Sequence, residues 1–267
     1  MPEIFLVFFS ILILSTFSFG QANDRSSHQL SSLNGAYHSY TELESELKKL
    51  ALNYPSIVRL CILGQSLENR NIYALKISNH PGRPENEPRV AFLGCHHARE
   101  WMSVEVPLQL ANYLIKNYDK DERVKAIVDS SEIWIVPLVN PDGLDYSILN
   151  YRLWRKNRRL NGDGSFGVDL NRNYSFGWGA DDSGSSPRPS SETYRGSQPF
   201  SEPETQAIRN LFLNVNFSAT ISYHSFSQSI LYPWSYADLP AEKEPLFQQL
   251  AADMAQLISQ VNGRIYY

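Results

Sequence analysis

Hydrophobic positions along the chain recur with two periods. From Tyr40 to Leu52, leucines stand at 43, 47, 50 and 52, which predicts a helix with those side chains near one face. Val58–Leu63 and Ile72–Ile77 are short apolar runs joined by the polar Gly64–Arg70, the pattern of a β-hairpin. Pro81–Pro88 reads as a loop and Arg89–Gly94 as a buried strand. A helix from Ser103 would bury Val104, Leu108, Ala111, Ile115 and Tyr118, and Pro107 falls early enough in it to be tolerated. Ile133–Val139 reads as a continuous apolar strand despite Pro137. Ser201 and Glu204 have the spacing of a capping box for a helix to about Val215, and Phe217–Tyr223 is the next strand. Leu246, Leu250, Met254, Leu257 and Val261 line a final helix that Gly263 stops. This alternation predicts an α/β protein, one domain with a mixed central β-sheet flanked by helices. There is no internal repeat. Residues 157–200 have no period and hold half of the 14 glycines. So long an irregular stretch is functional or disordered, and the motifs it carries favour function.

Composition narrows the picture. A chain of 267 residues can bury a substantial core, and a formal net charge of −4 carries no nucleic-acid footprint. Residues 4–19 are apolar or hydroxylated, and Ser18 and Gly20 fit a cleavage site before Gln21. Residues 1–20 therefore read as a secretory signal peptide, although Glu3 replaces the usual basic residue, and the run is short for a membrane span. The expectation is a secreted, extracellular or periplasmic protein without stable membrane insertion. Residues 21–36 read as a polar arm, and residues 37–267 as the domain. Two cysteines, Cys61 and Cys95, are too few for a disulfide framework and are expected as two buried thiols, with a single disulfide left open.

The chemistry concentrates at Gly94-Cys95-His96-His97-Ala98-Arg99-Glu100-Trp101, where a strand gives way to a helix. His97 and Glu100 are three residues apart, so one helical turn puts imidazole and carboxylate on the same side. Zinc takes such a pair and needs a further ligand, usually a distant histidine, with a position left open for water. His224, after the apolar run ending at Tyr223, is the candidate.

Alone, a His-x-x-Glu pattern is weak. It is followed in order by Asn140-Pro141-Asp142-Gly143, Arg152-Leu153-Trp154-Arg155-Lys156-Asn157-Arg158, Asp169-Leu170-Asn171-Arg172-Asn173, Ser191-Glu192-Thr193-Tyr194 and Ser222-Tyr223-His224-Ser225. From about Tyr37 to the last residue the chain resembles the zinc metallocarboxypeptidases of the carboxypeptidase A/B/T family (peptidase M14), closest to the bacterial carboxypeptidase T-like branch. The resemblance implies one Zn2+ per chain, held by His97, Glu100 and His224, with His96 a neighbour. It implies that Arg155 stabilises an oxyanion and that Asn171 and Arg172 clamp the substrate's terminal carboxylate, a task suited to a guanidinium fork. Arg99 and Arg152 would be accessory arginines, Ser225 and Phe226 would line a subsite, and Tyr232-Pro233-Trp234-Ser235 would line the side-chain pocket. Substrates would be the C-termini of peptides or proteins, and the molecule a monomer.

The family continues beyond the position of Tyr267 with a mobile tyrosine, the base of the specificity pocket, a strand bearing the general-base glutamate, and a closing helix. No residue here matches that glutamate. The expectations are a domain lacking its last strand and helix, a gap or rearranged pairing between the two histidine-bearing strands, and exposed apolar surface. The about fifteen polar residues before the first matching helix leave no room for a folded pro-domain. The alternatives are a catalytically dead homologue that binds zinc and peptide C-termini, or an incomplete gene product. Asn173-Tyr174-Ser175 and Asn216-Phe217-Ser218 are glycosylation sequons, the first expected to be buried.

Overall fold

A computed structural model of the chain describes residues 37–267, except Phe226, Ser235 and the side chain of Asn262. The signal-peptide and arm segments, and the subsite role of Phe226, lie outside the described residues.

Helix α1 (Tyr40–Asn53) starts at a capping box in which the Ser39 hydroxyl accepts from Glu42 N–H and the Glu42 carboxylate accepts from Ser39 N–H. It buries Leu43, Leu47 and Leu50. Leu52 does not join them and is 78% exposed, because nine residues after Leu43 it lies half a turn round the helix. Strands β1 (Val58–Gln65) and β2 (Asn71–Ile77) form the antiparallel hairpin. Strand β3 (Arg89–Leu93) leads to α2 (Met102–Asn117), α3 (Glu122–Asp129) and β4 (Glu132–Val136). β4 ends before Pro137, shorter than the apolar run suggests, since proline has no N–H for the ladder. Two short helices add to the elements expected from the sequence: α3, capped by Asp121 with Val124 and Val128 buried, and α4 (Pro141–Leu149), capped by Asn140, whose side chain accepts from Gly143 N–H.

Helix α5 (Pro203–Asn214) corrects the capping-box reading. Glu202 is its N-cap and makes no side-chain cap bond, while Glu204 turns into the interior and accepts from Asn157 Nδ2. Pro203 at the start of the helix, with φ already suited to it, helps set this boundary. Strand β5 (Ala219–Ser222) and α6 (Glu244–Asn262) follow, and Gly263 closes α6 in the left-handed region. No helix among the described residues is long and apolar enough to cross a membrane.

The strands form one mixed sheet in the order β1-β2-β4-β3-β5, with β4, β3 and β5 parallel. Of the two outcomes expected between the histidine-bearing strands, a gap or a rearranged pairing, the structure has the second. β3 pairs directly with β5 from Val90–Ala219 to Leu93–Ser222, and Tyr223 N–H donates to Leu93 O, so no strand fits between them. One sheet face presents Leu75, Ile77, Ile133 and Ile135 to α1, α2 and α3. The other presents Ile72, Ala74, Leu93 and Val136 to Ala207, Ile208 and Leu211 of α5. Helix α6 packs with Phe247, Ala251, Met254, Ala255 and Ile258 around Ile230, leaving Leu246, Leu250, Leu257 and Val261 outward. Of the apolar positions expected to bury this helix, Met254 alone faces inward. The cysteines are free thiols; Cys95 is buried but Cys61 is half-buried, because it lies on edge strand β1.

Candidate metal centre

The parallel strands β3 and β5 end side by side, and the segments leaving their C-terminal ends carry the site, where open α/β sheets place ligands. Gly94 makes the turn possible. A Cβ there would lie 2.2 Å from Ser103 O and 2.5 Å from Pro137 O, so the chain leaving β3 passes against the start of α2 without room for a side chain. Cys95 follows at φ +52°, unusual for a residue other than glycine, and His97, Ala98 and Glu100 are then packed inward.

His97 Nδ1 lies 2.9 Å from Glu100 Oε1, and His224 Nδ1 lies 2.9 Å from Glu100 Oε2. The two Nδ1 atoms are 3.1 Å apart although their residues are 127 positions apart in the chain. All three side chains are buried, and their ligand atoms lie within 4.8 Å of one another. Two imidazole nitrogens and a carboxylate oxygen facing one point are a donor set that fits zinc. The far nitrogen of each ring has its own partner, as histidines that hold a metal need. His97 Nε2 lies 3.2 Å from Asp169 Oδ1, and His224 Nε2 lies 3.4 Å from Ser222 Oγ.

Asp169 is the residue that sequence reading left without a role. It is fully buried. Its Oδ2 accepts from Arg155 Nε at 3.0 Å and Nη2 at 2.9 Å, and its Oδ1 accepts from Asn171 N–H at 3.0 Å. Burial pushes its carboxyl up, but His97 and Arg155 outweigh this and hold it well below the usual range. Glu100 behaves likewise: burial raises it, while His97 and His224 pull it far down. For His97, burial works against the proton, yet the charges of Asp169 and Glu100 raise it overall. Burial lowers His224 and, more strongly, His96. The signal that could have marked Asp169 is its place two residues before Asn171, where an Asx cap fixes a turn.

Arg155 joins the triad through Asp169, while its own carbonyl accepts from Ala98 N–H. Asn171 and Arg172 sit on a single 3-10 turn, Leu170–Arg172, that Asp169 caps. Arg172 Nε donates to Gly184 O and Nη1 to Asn171 O. Ser225 N–H donates to Glu100 Oε2 at 3.3 Å, which brings Ser225 to the rim of the triad. Arg99 and Arg152 are tied to each other: Arg152 donates to Arg99 O at 2.7 Å and stacks 3.8 Å from the Trp101 ring centre, while Arg99 reaches Leu153 O and Glu192. His96 is not part of the triad; its Nε2 lies 2.7 Å from Tyr174 OH. Asn173 is buried, with its amide donating to Arg195 O, Gln198 O and Ser201 Oγ, whereas Asn216 is exposed.

The sequence profile of the zinc carboxypeptidases, Peptidase M14, matches residues 43–267. The chain belongs to this family. Carboxypeptidase A5 of Macaca fascicularis is 36% identical over 234 residues, covering 87% of this chain and 52% of that protein. Carboxypeptidase B of Astacus astacus is 34% identical over 239 residues, covering 86% and 75%. A zinc carboxypeptidase of Saccharothrix mutabilis is 41% identical over 145 residues, covering 54% and 33%. Among solved structures, bovine thrombin-activatable fibrinolysis inhibitor in complex with tick carboxypeptidase inhibitor superposes with a TM-score of 0.78 at 31% identity, covering 86% of this chain and 75% of that one. Carboxypeptidase A from Helicoverpa armigera gives 0.78 at 30%, covering 85% and 55%. This zinc carboxypeptidase relative spans about half the length of several curated proteins it matches.

Proposed function

We propose that the chain carries the metal centre of an exported zinc carboxypeptidase that removes C-terminal residues from peptides. One observation carries this: His97, Glu100 and His224 converge within 4.8 Å, on a fold shared with carboxypeptidases. In this reading the three side chains hold one Zn2+, which would supply a Lewis acid for the scissile carbonyl and for the attacking water. Asp169 fixes the His97 ring with Nδ1 toward the metal and holds the Arg155 guanidinium beside it. Arg155 is thereby pre-set to face the negative charge that develops on the substrate carbonyl oxygen. Asn171 and Arg172, on their capped turn, receive the terminal carboxylate, and Arg99 and Arg152 line its approach. Ser225 borders the bound residue. Export rests on the apolar run at residues 4–19. All three ligands come from one chain, so a monomer suffices.

A second reading has an observation of its own. Among the described residues, the carboxylates bonded within the centre are Glu100 and Asp169, and both are committed to histidine and arginine. Neither is free to take a proton from water, and because removing a general base costs about 100–10,000-fold in rate, this commitment favours binding of zinc and peptide C-termini without ordinary turnover. The experiment measures zinc stoichiometry, peptide affinity and amino-acid release on the 267-residue chain. One zinc per chain is expected, lost in His97→Ala and Glu100→Ala. Release at an ordinary enzymatic rate supports the first reading, peptide binding without release supports the second, and failure to hold zinc overturns both.

A further inference from the structure

Behind His224 lies a buried polar chain that the proposed reaction does not use. Ser222 Oγ sits 3.4 Å from His224 Nε2 and 3.4 Å from His96 Nδ1, and His96 Nε2 sits 2.7 Å from Tyr174 OH. Ser222 and His96 are wholly buried, and Tyr174 nearly so. Among the described residues, the two ring nitrogens are the hydrogen-bond partners of the Ser222 hydroxyl. Each neutral imidazole has one N–H and one lone pair, and among the described residues the Ser222 O–H has these two ring nitrogens to donate to, so with that proton paired the chain runs in one of two directions.

In one direction Tyr174 O–H donates to His96, His96 Nδ1–H to Ser222, and Ser222 O–H to His224 Nε2. That leaves the His224 proton on Nδ1, facing Glu100, and blocks the lone pair a metal needs. In the other, His224 Nε2–H donates to Ser222, Ser222 O–H to His96 Nδ1, and His96 Nε2–H to Tyr174. His224 Nδ1 is then free to ligate. We propose that His96, acting through Ser222, is the positioning residue that holds His224 in its metal-binding tautomer. It does for the second histidine what Asp169 does for the first, without placing a second negative charge in the core. The proposal rests on the reading of His97, Glu100 and His224 as metal ligands. It also gives the paired histidines of the sequence separate tasks: His97 faces the metal and His96 the strand beneath His224.

The test compares zinc affinity, by chelator competition, and the visible spectrum of the cobalt-loaded protein in wild type and three full-length variants. In His96→Leu the Ser222 proton loses its acceptor. In His96→Asn the side-chain oxygen can replace Nδ1. Ser222→Ala deletes the link with little change of volume, which keeps the question open should His96→Leu not fold. Loss of an outer hydrogen-bond partner typically costs 10–100-fold in metal affinity, so His96→Leu and Ser222→Ala are each expected to weaken zinc by about that much, while His96→Asn stays within about threefold of wild type. A shifted cobalt spectrum in Ser222→Ala, restored toward wild type in His96→Asn, would mark an effect on ligand orientation. Wild-type affinity in Ser222→Ala, or His96→Asn as weak as His96→Leu, overturns the relay alone. A wild-type protein that binds no zinc overturns the metal centre itself and the relay with it.

Discussion

Asp169 turns one carboxylate oxygen to the His97 imidazole and the other to the Arg155 guanidinium, so a single side chain sets the bearings of two groups with different tasks. Glu204 shows the opposite use of a buried acid. It is enclosed in the first turn of α5, burial is the largest influence on it, and Glu202 and Asp142 add negative charge, raising its carboxyl to about 7. An acid raised in the folded state binds its proton there while the unfolded chain has released it. Its stabilising contribution is therefore full below the ordinary glutamate range near 4.5 and is lost as pH climbs toward about 7. Glu204→Gln keeps an oxygen for the Asn157 amide and removes the titration. Unfolding measured between pH 4.5 and 8 is expected to show the variant gaining on wild type toward high pH, by on the order of 1–3 kcal/mol. The convergence of His97, Glu100 and His224 was legible in the sequence because their residue types and spacing suit a metal site. Asp169 was not, since an aspartate before a turn has the same appearance whether it caps backbone or orients a ligand. Glu204 was misread for a related reason: the capping-box spacing is a local pattern, and the interior claimed the side chain.

At the scale of elements, the hairpin, the buried strand β3, helix α2 and strand β5 all followed from period and punctuation. Their ends did not, because proline chemistry at 137 and pairing partners decide where a ladder stops. Nor did the sequence say which stripe of a helix is covered. Leu246, Leu250, Leu257 and Val261 keep a helical spacing as well as the covered positions of α6 do, and only the placement of Ile230 separates them. Gly94 is where an element boundary and the site meet. Gly94→Ala would drive a methyl group into two carbonyl oxygens of other segments, and overpacking of this kind costs about 1–3 kcal/mol or more. Thermal unfolding is expected to fall accordingly, and zinc affinity with it, whereas Gly162→Ala, with nothing within 4 Å, serves as a silent control.

Over the whole molecule, apolar surface is concentrated where α6 turns Leu246, Leu250, Leu257 and Val261 outward, with Ile265 and Tyr267 also exposed. Among the described residues β5 stands at the edge of the five-stranded sheet, and an edge ladder is a site for further pairing. Contiguous apolar surface on this scale favours association. The 267-residue chain is expected to self-associate with rising concentration, and Leu257→Lys with Val261→Lys to reduce this in light scattering without lowering zinc affinity. The direct pairing of β3 with β5 has a consequence in time as well as in space. By loop-closure entropy, joining segments separated by 127 positions costs roughly 3 kcal/mol more than closing the short β1–β2 turn. Local contacts are therefore expected to form before this one, so that the two histidines would meet only after most of the chain has found its place. The convergence of His97, Glu100 and His224 is thus a seal on folding, expected to close only once the most distant strands have joined.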